Sequence, residues 1–213
     1  MNFLHRDLGT IVEDDLRSLI ENRVPETKHI EYKAAFNDLS EADKKVELLA
    51  DLTSFANTDG GVLFVGISTK DGLPLDLKGL PVSEFDGARN RVEQILDNGV
   101  EPRIYHEIKE IPIGSDGKAV MAIRVRRSWN QPHRVVAEKS NRFCARNSGG
   151  KYDMDVEHCV WTIRNGGAAN SRRAHAIDGS PAGWCSERSR AEAACAVRVR
   201  HSVLGNGPRE PSG

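Results

Sequence analysis

The sequence predicts an α+β domain, a mixed and mainly antiparallel sheet packed with helices, followed by a disordered C-terminal tail. Three observations predict it. Helical and strand periodicities interleave from Asp14 to Ile163, and hairpin signals dominate the second half of that span. The run Val62–Ile67 is apolar without a break, as in a strand covered on both faces. From Asn165 onward Gly, Ala, Ser and Arg dominate and periodicity vanishes, so residues 164–213 read as a disordered, arginine-bearing tail.

Asp14–Arg23 sets Leu16, Leu19 and Ile20 at helical spacing, with Glu13 and Asp14 near the positive end of the helix dipole. Val24-Pro25 stops this helix, because a residue before proline is pushed out of the α region. His29–Lys33 alternates like a short strand. A second helix runs from Ser40, its expected N-cap, to Asn57, with Val46, Leu49, Leu52, Thr53 and Ala56 on one face. Asp59-Gly60-Gly61 then turns the chain into the Val62–Ile67 strand. Ser83–Asn98 is helical again, on a stripe of Val92, Ile95 and Leu96. Arg103–Ile113 and Ala119–Val125 alternate as strands across a turn at residues 114–118. Short strands follow at Arg134–Val136 and Arg142–Ala145, then a short helix at Asp155–Ile163.

Hydrophobic content of 38% supports a core over most of the chain, and no apolar run approaches a membrane span. The N-terminus lacks the apolar stretch of a secretory signal. Cys144, Cys159, Cys185 and Cys195 form no Cys-x-x-Cys, which argues against a zinc ribbon or a disulfide-stapled secreted domain, so the cytoplasm is the expected location. From Arg164 onward eight arginines face four acids, leaving 22 basic against 27 acidic side chains in Met1–Ile163. A nucleic-acid site on the folded part must therefore be a local basic surface.

Four segments carry a resemblance. They are Pro25–Lys33 (PETKHIEYK), Ser54–Ile67 (SFANTDGGVLFVGI), Ile123–Ser128 (IRVRRS) with Pro132-His133, and Arg142–Gly149 (RFCARNSG) with Met154-Asp155. In this order they resemble the Schlafen/AlbA-type DNA-binding domain family over about Asp14–Ile163. The resemblance implies a nucleic-acid-binding fold, found in proteins described as transcriptional regulators or ATP-binding proteins. It also implies metal-dependent endoribonuclease activity in some Schlafen members. Glu26 and Glu31 match two of the three acids of that nuclease site, where carboxylates hold Mg²⁺ or Mn²⁺ and activate water. On a straight strand the two would lie about 16 Å apart on opposite faces, so they converge only if the chain bends beside Pro25. At the third position the sequence reads Ser68-Thr69, with Asp71 two residues on. Asp71 or Asp59 would have to complete the triad.

Thr58–Gly61 follows a helix, so carbonyls and the negative dipole end face it, which is the wrong polarity for phosphate. The glycines are expected to serve a tight turn, and ATP binding rests on the resemblance alone. The basic stretch Arg124, Arg126, Arg127 with Trp129 and His133 is the expected nucleic-acid surface, with Arg142, Arg146, Lys151 and Lys33 added if neighbouring strands bring them in. Its bland alternative is a solvated edge. Lys28 and Lys33 flank Glu31 and could stand beside the same groove. His158-Cys159 point too far apart on a helix to share an ion. The expected function is thus a nucleic-acid-binding module, for DNA or RNA, of modest specificity, needing no cofactor and extended by a homodimer. A Schlafen-type endoribonuclease and an NTP-responsive regulator fragment are the alternatives.

Overall fold

In the computed structural model, which describes residues 6–36 and 39–164, one five-stranded sheet is covered on both faces. Of the tail expected to be disordered, 164–213, residue 164 belongs to the last helix and residues 165–213 lie outside the described residues. Helix α1 spans Glu13–Glu21, and strand β1, Ile30–Lys33, follows. Helix α2, Ala42–Ala56, crosses back to strand β2, Gly60–Val65, which lies parallel to β1 with Ile30 opposite Val62. A parallel neighbour requires such a crossover element. The N-cap position of α2 is Glu41, one residue past the expected Ser40.

Strands β3, Ile67–Lys70, and β4, Leu73–Leu77, form a separate hairpin that the sequence did not announce. Gly66, at φ 111°, breaks the expected Val62–Ile67 strand between β2 and β3. Strand β5, Leu80–Pro81, leads into helix α3, Val82–Gly99, and then into strand β6, Val100–Glu101. The long hairpin of β7, His106–Ile113, and β8, Lys118–Arg126, forms as expected. Strand β8 is the hub of the main sheet, pairing antiparallel with β2, β5 and β7.

A second, antiparallel sheet orders β11-β10-β9-β6, where β9 is Arg134–Val135, β10 is Arg142–Asn147 and β11 is Gly150–Asp153. A final helix is described over residues 156–164, with the Asp155 carboxylate accepting from the His158 backbone N–H at 2.7 Å.

The unbroken apolar runs have a direct cause. Leu63, Val65, Met121, Ile123 and Val125 pack toward Leu49, Leu52 and Phe55 of α2 and Val92 and Leu96 of α3. Val62, Phe64, Val120 and Ala122 pack on the opposite side toward Leu16 and Leu19 of α1. Both pleat faces are buried, so neither leaves a polar position. Among the described residues no helix is long and apolar enough to cross a membrane.

Candidate nucleic-acid interface

The segments that carry the resemblance meet inside the molecule and hold it together. Asn57, just past α2, donates to the carbonyls of His133 and Cys144, both at 2.9 Å, and accepts from the His133 N–H at 2.7 Å. Thr58 Oγ1 accepts from the Arg146 backbone N–H at 2.9 Å. Gly61 passes so close to Phe55 that a Cβ there would lie 2.2 Å from the ring, and Gly60 needs φ 81° to turn the chain. The glycines thus serve the tight helix-to-strand turn.

Arg146 is the centre of a buried charge cluster. Its guanidinium reaches Glu31 at 2.5 Å, Asp51 at 3.2 Å, Ser54 Oγ at 2.8 Å and the Thr27 carbonyl at 3.2 Å, and it lies over the Phe55 ring. Lys151 and Lys33 close on the same Asp51, at 2.7 and 3.0 Å. Burial alone would raise the Asp51 carboxyl, but the Lys151 and Lys33 ammonium groups outweigh it and hold it below the usual range. This cluster ties α2 to β1 and to the β10–β11 hairpin.

The expected basic strip is consequently divided by burial, and three of its members are corrected. Arg146 has 2% of its side chain exposed, spent on internal carboxylates. His133 is buried, with Nδ1 bonded to the Pro102 carbonyl at 2.7 Å, and burial pushes its pKa down. Arg124 is buried opposite Glu107, and burial lowers its pKa while the Glu107 charge raises it. Desolvated groups with internal partners do not reach a phosphate at the surface. Lys33 and Lys151 are half-buried on Asp51, and Arg142 lies apart on β10, held by Asp153 through both Nε and Nη2.

Glu26 and Glu31 do converge. A turn at Thr27–Ile30 bends the chain ahead of β1, and the Glu26 N–H donates to the Gly72 carbonyl at 2.9 Å. Glu26, Glu31, Asp71 and Arg146 therefore line one cleft of about 250 Å³. Burial, then the Glu31 charge, pushes the Glu26 carboxyl up. Asp59 lies elsewhere, against Lys28. The cleft does not fit the Mg²⁺ or Mn²⁺ of the nuclease alternative. Its countercharge is already the Arg146 guanidinium on Glu31, and among the described residues no three His, Cys, Asp or Glu side chains are placed to hold a metal.

One end of the main sheet keeps exposed cations. The starts of β1, β2 and β7 and the end of β8 coincide there, with Gly60 opposite Arg126 and His106 opposite Val125. Arg126 extends to Glu107 at 2.8 Å, Arg127 to Asp59 at 3.8 Å and Lys28 to Asp59 at 2.7 Å. The Lys28 hydrogen bond holds the Asp59 carboxyl below its usual range. Trp129 follows β8 and Tyr105 precedes β7, both exposed. The sequence reading had Arg126, Arg127 and Trp129. Tyr105 is not among the residues that the sequence singles out, and Lys28, expected beside the Glu31 groove, instead meets Asp59, which Arg127 also approaches.

Residues 26–155 match the profile of the Schlafen, AlbA_2 family, and the chain belongs to that family. Family membership places it among nucleic-acid-binding domains at the level of the family. No curated protein matches the sequence. Among solved structures, a protein from Corynebacterium diphtheriae is similar at 20% identity and TM-score 0.43, over 70% of this chain and 32% of its own. The N-terminal domain of a helicase RecG-related protein from Nitrosomonas europaea is similar at 20% identity and TM-score 0.42, over 63% of this chain and 88% of its own. The chain thus spans about a third of the length of the Corynebacterium protein.

Proposed function

We propose that the domain binds nucleic acid through the phosphate backbone, using Lys28, Arg126 and Arg127 at the exposed end of the main sheet. One observation carries this: three accessible cations gather at one end of the sheet, paired with Asp59, which is exposed, and Glu107, which is partly exposed. Side-chain exposures are 65% for Arg126, 54% for Arg127 and 43% for Lys28. Exposed ion pairs contribute about 0–1 kcal/mol, so exchanging Glu107 or Asp59 for a phosphate costs little. Breaking the Arg146 cluster would cost about 3–5 kcal/mol, which removes Arg146 from the contact surface. Three cations against two carboxylates leave a local positive excess in a domain that is acidic in sum, the arrangement that charge-driven binding requires.

Contacts to phosphate position a strand without reading its bases, so specificity is modest. Titrating labelled DNA and RNA oligonucleotides at low ionic strength tests the proposal. Saturable binding that weakens with salt is expected; no affinity for any oligonucleotide contradicts it.

A further inference from the structure

We propose that this surface selects single-stranded over double-stranded nucleic acid, through Tyr105 and Trp129; the inference rests on the nucleic-acid reading above. Tyr105 is 68% exposed immediately before β7, and Trp129 is 47% exposed three residues past the end of β8. Strands β7 and β8 are antiparallel neighbours with His106 opposite Val125, so Tyr105 leaves the sheet level with Arg126, at the end from which the chain runs on through Arg127 to Trp129. Large aromatic side chains are ordinarily drawn toward the core; Tyr105 forfeits most of that burial and Trp129 about half of it. Both stand at the sheet end that carries the exposed Arg126 and Arg127.

That combination suits one kind of strand. A duplex presents phosphates to a basic surface, but its bases are already stacked on one another and offer no open face. A single strand presents the same phosphates with bases that can turn onto an aromatic ring, whatever their identity. Arg126 and Arg127 would hold the backbone while Tyr105 and Trp129 each take a base. DNA and RNA single strands share this chemistry.

The test is fluorescence anisotropy with the full 213-residue chain. The probes are a thymidine 20-mer, a uridine 20-mer, an abasic strand of equal charge and a 20-base-pair duplex, all at one salt concentration. The expected result is that one or both base-bearing single strands bind about tenfold or more tighter than the duplex, with the abasic strand falling to the duplex level. Tyr105→Ala and Trp129→Ala should each loosen the single strands by about tenfold and leave the duplex unchanged, while Tyr105→Phe and Trp129→Phe retain binding. The wild-type comparison with the abasic strand stands even if an alanine variant fails to fold. Equal binding of duplex, abasic and base-bearing strands, or alanine variants that bind single strands like wild type, overturns the inference and leaves phosphate binding intact. No binding of any probe overturns the nucleic-acid reading itself.

Discussion

Among the arginines that sequence spacing groups together, the side-chain environments differ more than the residue type. Arg146 is nine-tenths or more removed from water with two carboxylates around it, whereas Arg126 and Arg127 stand in solvent. A buried ion pair broken from one side leaves an uncompensated charge. Asp51→Asn should therefore lower unfolding stability by about 3–5 kcal/mol, read as a shift in the urea midpoint. Arg126→Ala should shift it by less than about 1 kcal/mol. The same carboxylate fixes a pH dependence. Asp51 is held below its ordinary value of 3.8, so its contribution is present above that pH and is lost as pH falls from there through the folded value. Thermal unfolding followed from pH 6 to pH 2.5 should show the melting temperature dropping below about pH 4, with a smaller drop in Asp51→Asn. Residue type and spacing marked Arg142–Gly149 as important, but burial is decided by distant partners, and nothing local in that segment announces Asp51 or Glu31.

At the scale of elements, one amide just past α2 bonds to two segments of the second sheet. Asn57 satisfies two carbonyls and one N–H from the segments around His133 and Cys144, and all three groups are shut away from water. Asn57→Ala should cost about 3 kcal/mol or more, because unsatisfied buried polar groups cost about 1–3 kcal/mol each. Asn57→Asp should be no better, since a carboxylate can replace the acceptor but faces two carbonyls without a proton to give. Urea titration of both variants checks this. The elements that sequence periodicity located, α1, α2, α3 and the β7–β8 hairpin, have long stripes or a clear turn. The β3–β4 hairpin escaped because Pro74 argues against a strand, and β4 tolerates it with a single partner, β3. Strand β11 escaped because four residues after Gly149 carry too little pattern. The bend that brings Glu26 to Glu31 was anticipated beside Pro25, whereas the Arg146 guanidinium paired with Glu31 at that cleft was not.

For the whole molecule, a net charge of −1 conceals the distribution that matters. Exposed cations on exposed carboxylates occur at several places in the described domain, Arg103 and Arg142 among them, but the sheet end gathers three, Lys28, Arg126 and Arg127, around two carboxylates. Counterion release makes this countable. Each phosphate contact contributes a slope of about −0.7 to −0.9 to log K against log salt. The most direct test is that slope for a single strand, measured for wild type and for the Arg126→Ala/Arg127→Ala double variant. The account predicts a wild-type slope of about −2 to −3 that becomes shallower by about 1.5 in the double variant. A double variant that binds with the wild-type affinity and slope would contradict it.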